Sequence, residues 1–395
     1  MIDSNRIPHL MKYMGSKREI LEFIISSIQE LNIESEWFCD LFSGTSIVGA
    51  ALRDEFNILS NDIQSYSEVF AKTYFSNLNR IVDPEELIVI KRNAIILVEE
   101  FHTKYPNLNF DYEKVSDFST LQNLENQQQS LFCRTFDIGF HLFVKYYSGT
   151  YWSYEQCVWI DSIRAVADEY IDRPEYRNLI LSSLIFAMSY TSQSTGHFAQ
   201  YRDVTESNME DILIYRTRDI WTLFEKKFLE LISELNYETP NQYKITTLDY
   251  LDCLRIIEEN TIVYADPPYS FVHYSRFYHA IETLVCYDYP KIKYKGRYRE
   301  NRHQSPFCKK TEVKEAFTKM FECINSRSSH LILSYSNNGM ITLEEIIELG
   351  KRVFNDNYEC QVRSKDYLHS KMGRSDKNRM NVEELVITYK RMDHE

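Results

Sequence analysis

Between residues 16 and 31 apolar side chains recur every three or four positions, so that Ile20, Leu21, Ile24, Ile25, Ile28 and Leu31 share one face. That period predicts an amphipathic helix, with Ser16 and Glu19 as a capping box at its start. The period then changes. Residues 37–42, WFCDLF, form a short apolar run interrupted by Asp40, and Ser43-Gly44-Thr45 leads into a second helical pattern at Ile47, Val48, Ala51 and Leu52. A further short strand, Asn57 to Ser60, ends at Asn61-Asp62. Strand, glycine turn, helix and strand open an α/β unit, in which Gly44 lets backbone approach a ligand and Gly49 permits close packing of helix on sheet.

The run Ile262-Val263-Tyr264-Ala265 predicts a buried strand that enters Asp266-Pro267-Pro268-Tyr269. Each proline fixes φ, lacks an amide hydrogen and holds the preceding residue extended, so the strand must end there. Asp266 then projects from the carboxyl edge of a sheet, where open α/β folds place their ligands. Its carboxylate and the Pro267 carbonyl offer only acceptors, which suits an NH₂ group with two donors, and Tyr269 offers a stacking face. ILSYSN at 332–337 and ELVITY at 384–389 predict further strands, and Ser334 to Asn337 are candidates for the border of the same pocket.

The stretch between Asp62 and Asp249 exceeds what a minimal α/β fold needs. Segment 105–130, rich in Asn and Gln, predicts a loop or irregular excursion; 131–166 is dense in aromatics and then helical; 175–190 and 209–236 predict helices. The expected organisation is a sheet domain formed by 1–80 and 241–395, with 81–240 as an inserted, mostly helical region.

A formal net charge of −13 excludes a protein that coats polyanions indiscriminately. Any nucleic-acid surface has to be a local basic patch. Three segments are candidates. Residues 291–304 carry Lys291, Lys293, Lys295, Arg297, Arg299 and Arg302 between Tyr294 and Tyr298, in an alternation that predicts a basic hairpin. Arg363, Lys365, Lys371, Arg374, Lys377 and Arg379 surround Gly373. Residues 191–202, with His197 and Arg202 about Gly196, form a polar loop able to donate to phosphates or base edges. The cysteines show no CxxC pair and no metal-ligand array, which points to a reducing compartment and no metal site. No apolar run approaches membrane length and no amino-terminal signal pattern is present, so the expected location is cytoplasmic.

The first loop, DLFSGTSIVG, lacks the GxGxxG spacing of a dinucleotide fold, and Asp40 would repel a pyrophosphate. An acidic loop suits a cationic ligand without phosphates, and Asp62 is placed to accept both hydroxyls of a ribose. Several ordered blocks, KYMGSK at 12–17, FCDLFSGT at 38–45, Asp62, Thr247-Leu248-Asp249, YADPPY at 264–269 and YSRFYH at 274–279, resemble the D12 class of DNA adenine-N6 methyltransferases.

The resemblance implies a Rossmann-like sheet that binds S-adenosyl-L-methionine and an inserted region that recognises the target. Tyr13, Gly15 and Lys17, with Asp40 and Gly44, look like the block holding the methionine part of the cofactor, Asp62 like the ribose carboxylate and Asp249 like the acceptor of the cofactor's adenine amine. Asp266, Pro267, Pro268 and Tyr269 look like the catalytic corner. The family's first loop often carries a glycine near position 46, where this chain has Ser46, a departure that bears on cofactor affinity.

The implied activity is methyl transfer to N6 of an adenine flipped out of duplex DNA. Tyr274 and Phe277 are candidate walls for the base, and His197, Arg202, Lys293, Lys295, Arg297 and Arg299 are candidate DNA contacts. A restriction endonuclease partner and a monomer are the associated expectations. Methylation of cytosine N4 or of adenine in RNA remain alternatives, as does a non-catalytic DNA-binding subunit.

Overall fold

The computed structural model describes residues 7–369 and 380–392, apart from 195, 237–240, 270, 272 and 338. Its strands are β1 (Trp37–Asp40), β2 (Asn57–Asn61), β3 (Tyr243–Thr246), β4 (Ile262–Ala265), β5 (Ile292–Lys293), β6 (Tyr298–Arg299), β7 (His330–Ser336), β8 (Tyr358–His369) and β9 (Met380–Arg391). Seven make one sheet in the order β3-β2-β1-β4-β7-β9-β8, while β5 and β6 form a separate hairpin. Strands β3, β2, β1, β4 and β7 run parallel, and β9 is antiparallel to both of its neighbours. The chain winds outward from β1 through β2 to β3, then returns to lay β4 on the other side of β1, with Asp40 opposite Tyr264. Strand order reverses at that seam, so the carboxyl ends of β1 and β4 diverge into a crevice.

Alternation along each strand assigns its side chains to two faces. Phe38, Ile58, Ile262, Tyr264, Ile332 and Val386 join one apolar core, whereas Cys39, Leu59, Val263, Ala265, Leu333 and Ile387 join the other. Each of these is essentially buried, and each of the Val, Leu, Ile and Phe positions stabilises the fold by roughly 1.5–3 kcal/mol. The second face is covered by helices Tyr250–Ile256, Val313–Ser326 and Leu343–Phe354. On the first lie Leu21–Gln29, Ile47–Leu52 and Ser65–Tyr74. Its core continues without interruption into the helices that follow β2, taking in Val98, Ile163, Leu181 and Phe228.

Those helices are Glu86–Lys104, Phe118–Gln129, Leu142–Tyr147, Tyr154–Glu169, Pro174–Thr191, Met209–Arg216 and Ile220–Glu234. Buried polar pairs fix their mutual register. Arg216 donates to both oxygens of Glu125, at 2.8 and 2.5 Å, and to the Thr150 carbonyl at 2.8 Å. Asp161 accepts the Phe143 and Val144 amides at 2.9 and 2.8 Å and the Tyr287 hydroxyl at 2.6 Å.

Four local expectations need correction. Segment 105–130 is not an irregular excursion throughout, because Asp117 caps helix Phe118–Gln129 by accepting the Thr120 amide at 2.8 Å. Its buried stripe is only Leu121, Glu125 and Gln128, too polar to register as a hydrophobic period. Segment 209–236 is two helices; Asp219 caps the second, and Ile214 is 54% exposed. The first helix starts as a 3-10 turn, Lys17–Ile20, where Ser16 accepts the Arg18 amide at 3.4 Å in place of a capping box. Finally, Arg363 and Lys365 belong to β8, an unanticipated edge strand whose charges mask its period. Lys371, Gly373, Arg374, Lys377 and Arg379 lie outside the described residues.

Candidate active site

The two prolines end β4 as the sequence requires, and Asp266 emerges beside the carboxyl end of β1. Its carboxylate has two distinct sides. Oδ1 is buried and meets the Lys17 ammonium at 3.0 Å, an ion pair whose angle falls short of a hydrogen bond. The side chain is nonetheless 19% exposed, and that exposure opens on a cavity. Burial pushes the carboxyl up to about 6; Lys17 opposes the shift and Glu384 adds to it. Lys17 is itself held at 2.6 Å by Glu384 of β9, which also accepts the Ser334 hydroxyl at 3.1 Å. Burial alone would favour a neutral amine, but the two carboxylates hold the Lys17 pKa well above its ordinary value.

The cavity measures about 1020 Å³ including its open mouth. Tyr13, Gly15, Lys17, Asp40, Gly44, Asp62 and Asp249 line it together with Asp266, Pro267, Pro268 and Tyr274. Asp40 is almost wholly buried and accepts the Gly49 amide at 3.1 Å. Its carboxyl is raised to about 7 by burial against the opposing Gly49 bond, with the charges of Asp266 and Asp62 adding to the rise. Asp62 takes the Gly44 amide on Oδ2 and the Gln64 amide on Oδ1, both at 2.9 Å, and burial still lifts it to about 6. Asp249 caps helix Tyr250–Ile256 through the Leu251 amide at 3.0 Å. Three desolvated carboxylates around one cavity make a site that favours a cation.

Gly15 and Gly44 both sit in left-handed backbone geometry against a tyrosine hydroxyl, Gly15 the more tightly. At Gly15 φ is +77°, and a β-carbon would stand 2.5 Å from the Tyr274 hydroxyl; at Gly44 φ is +51°, and it would stand 3.1 Å from the Tyr13 hydroxyl. Tyr13 is thereby clasped between the first loop and the segment after the proline corner, stacked on Tyr278 at 4.5 Å and Tyr274 at 5.6 Å. Ser46 has φ +57°, a left-handed geometry that suits the glycine which the resemblance implies near this position. Here its buried hydroxyl meets that of Ser60 at 3.3 Å.

Asn61 and Glu384 make contacts at the site that the sequence reading missed. Asn61 donates to the Leu41 and Leu248 carbonyls and accepts from Thr246 and Leu248, using all four of its hydrogen-bonding positions to tie three strand ends together. Its place beside Asp62 was the available signal. For Glu384 there was none, since ELVITY reads as strand and nothing in it points to Lys17. His303, Ser305 and Pro306 also line the cavity, which puts the end of the basic segment at the site.

Tyr269 packs edge-on to Tyr335 at 5.9 Å with its ring 5.8 Å from the Lys17 ammonium, beside the cavity but not among its lining residues, and Phe277 lies against His197 at 4.5 Å, away from the lining. Ser334 is buried under Glu384 and does not border it either. The hairpin and the 191–202 loop come together: Tyr298 donates to the Ala199 carbonyl, and Tyr151 donates to both Phe198 and Gly296. Lys293 pairs with Glu300, Lys295 with Asp203 and Arg202 with Asp211. Arg299 binds Asp288 through two bonds of 2.7 and 2.6 Å, and Arg297 stacks on Phe132 at 3.7 Å.

A mixed, mostly parallel sheet with a carboxylate-lined crevice at its switch point defines an α/β fold whose crevice lies where such folds place their ligands. The model of the D12 class N6 adenine-specific DNA methyltransferases matches residues 13–349, and the chain belongs to that family. Similar curated proteins include the modification methylase LlaI of Lactococcus lactis subsp. lactis, 25% identical over 350 residues that make up 87% of this chain and 49% of that protein. The type II methyltransferase M.FokI of Planomicrobium okeanokoites is 28% identical, over 85% of this chain and 46% of its own length. For M.NlaIII of Neisseria lactamica the identity is 24%, over 87% and 88%. The chain thus spans about half the length of the first two. Among the described residues no helix is long and apolar enough to cross a membrane.

Proposed function

We propose that the chain transfers a methyl group from S-adenosyl-L-methionine to N6 of an adenine in duplex DNA. The observation that carries this reading is Asp266, a desolvated carboxylate with one oxygen turned to Lys17 and its exposed side on the cavity shared by Asp40, Asp62 and Asp249. The residues fit the cofactor. Asp62 keeps unused lone pairs for a ribose diol, Asp249 for an adenine amine, and the acidic wall suits a sulfonium.

When bound, the cofactor supplies an electrophilic methyl group. Asp266 and the Pro267 carbonyl accept both amine hydrogens, pull the nitrogen toward tetrahedral geometry and aim its lone pair. Positive charge grows on that nitrogen during transfer, and the Asp266 carboxylate stabilises it where it develops. The amine proton turns acidic only then, so its late loss to Asp266 or water suffices. An adenine inside a duplex must first leave the stack, at a cost of a few kcal/mol. Tyr274, one of several aromatic side chains on the cavity, offsets part of this in the proposed reading, since base stacking contributes about 1–3 kcal/mol.

Residues 81–240, with the hairpin, serve in this reading as the target-recognition region. The three relatives named above are modification methylases or type II methyltransferases, and that context supports a proposed role beside a restriction endonuclease. Incubation of the purified chain with labelled cofactor and diverse DNA, followed by mass analysis of the nucleosides, tests the reading. N6-methyladenine should form, and Asp266→Ala should abolish it while retaining DNA binding. Formation of N4-methylcytosine, product on RNA alone, or unaltered turnover of the variant would reject it.

A further inference from the structure

Lys17 is a buried cation with two carboxylate neighbours, and it is nearer to the one outside the proline corner: 2.6 Å to Glu384 against 3.0 Å to Asp266. Glu384 is 2% exposed and lies on β9, beyond residue 349 where the family match ends. Ser334 of the adjoining β7 donates to the same Oε1 that holds Lys17. A buried charge network of this kind costs desolvation energy that apolar residues would avoid. Its geometry has a chemical consequence. Lys17 and Asp266 alone would sum to zero charge, leaving little negative potential for a nitrogen that becomes cationic. With Glu384 the three groups sum to −1.

Resting on the methyl-transfer reading above, we propose that Glu384 is a positioning residue for the reaction. It draws the Lys17 ammonium onto itself and neutralises it, so that Asp266 is oriented by Lys17 without being cancelled by it and keeps its negative charge for the amine. Glu384 does not touch the reacting atoms. Among the described residues, the charged and titratable groups that face Asp266 and its cation include Lys17 from the 3-10 turn, Glu384 from β9, Asp40 from β1, Tyr264 from β4, Tyr274 from the segment beyond the corner, and Tyr269, whose ring lies 5.8 Å from the Lys17 ammonium. Of these only Glu384 and Asp40 bring like charge, and only Glu384 shares its cation with Asp266.

The test is Glu384→Gln, which preserves shape and an acceptor for Ser334 while removing charge. Carbon-13 NMR titration of the Asp266 carboxyl, assigned with Asp266→Asn, should show its midpoint fall by about one unit or more, because a like charge is gone and Lys17 closes on Asp266. In the methylation assay kcat should fall about tenfold or more, with KM for cofactor held within about twofold. Glu384→Asp should restore part of both effects. An Asp266 midpoint unmoved in Glu384→Gln overturns the proposal, as does a loss of kcat matched by an equal loss of cofactor affinity and melting temperature. Wild-type protein that transfers no methyl group to DNA would defeat the functional reading alone, and the Asp266 titration would still decide whether Glu384 governs that carboxylate.

Discussion

Asp62→Asn keeps the shape of a cavity side chain and deletes its charge, and two opposing effects on stability can be set against each other. The carboxylate accepts two backbone amides, from Gly44 and Gln64, each at 2.9 Å. Asn has one acceptor oxygen, so its NH₂ must face one of those donors and a charge-assisted bond of about 1.5–3 kcal/mol is lost. Against that, burial raises the Asp62 carboxyl from 3.8 to about 6. A rise of about two units means that ionised Asp62 costs the folded state about 3 kcal/mol, and Asn does not incur it. The sign fixes the window. A raised folded pKa favours folding fully below 3.8, and that contribution is lost as pH rises through about 6. At pH 8 the relief is complete and the two effects nearly cancel; at pH 5 it is about half as large.

Cofactor binding has no such compensation. A ribose diol donates to Asp62 in the proposed reading, and exchanging a carboxylate for an amide removes at least one charge-assisted bond worth about 2 kcal/mol, or about 30-fold in Kd. Calorimetry should therefore show Kd for S-adenosyl-L-methionine rising about 30-fold. Melting at pH 8 should stay within about 2 °C of wild type, with the variant relatively less stable at pH 5. A Kd within about threefold of wild type would refute the ribose role. A melting temperature that collapses at pH 8 would refute the ledger.

Gly15→Ala places a β-carbon 2.5 Å from the Tyr274 hydroxyl in a backbone region that costs about 1–2 kcal/mol; a lower melting temperature and weaker cofactor binding by calorimetry are expected, and wild-type values would show that the clasp on Tyr13 is dispensable. Asn61→Ala leaves four polar groups on β1, β3 and their turns without their partner, one in a buried bond and three in part-buried ones, so urea unfolding should show a loss of about 2–4 kcal/mol; a loss under about 1 kcal/mol would mean that water takes over these bonds. Replacing Lys293 and Lys295 together by alanine should weaken DNA binding across all sequences and flatten the slope of log K against log salt by about two. An unaltered slope would remove the hairpin from the DNA interface.

Much of the sheet could be read in advance because its strands carry strong, separate signals: Pro267 and Pro268 terminate β4, Gly44 and Asp62 mark the turns after β1 and β2, and the alternation in ELVITY reports β9. Their meeting in one cavity is what parallel topology does to strand ends. Sequence was blind where stabilisation comes from pairing across long distances. Glu125 and Gln128 make a buried helix stripe only because Arg216 and Tyr112 meet them from far along the chain, and Glu384 matters only through Lys17. Edge strand β8 escaped notice for a different reason. Its Arg363 reaches over the helix Leu21–Gln29 to Ser27 at 3.1 Å and Glu30 at 2.9 Å, and from sequence such a charge was indistinguishable from a basic patch.

The same pairing separates the candidate DNA contacts from one another. On a chain of net charge −13 the hairpin's Lys293, Lys295, Arg297 and Arg299 each have an acidic or aromatic neighbour, yet the holds differ in strength. Lys293 with Glu300 and Lys295 with Asp203 are exposed pairs, from 40% to 64% on every side chain, worth at most about 1 kcal/mol each and weaker in salt. A phosphate can replace such a partner at little cost. Arg299 is 10% exposed and doubly bonded to Asp288, and Arg297 is stacked on Phe132 with its Nε on the Tyr146 carbonyl at 2.8 Å, so both shape the hairpin and are costly to release. In the proposed complex the two lysines therefore exchange partners while the two arginines hold the scaffold. The acids left behind, Glu300 and Asp203, then repel a backbone that approaches in any other register, which is how an acidic protein can bind DNA at one local patch without binding it everywhere.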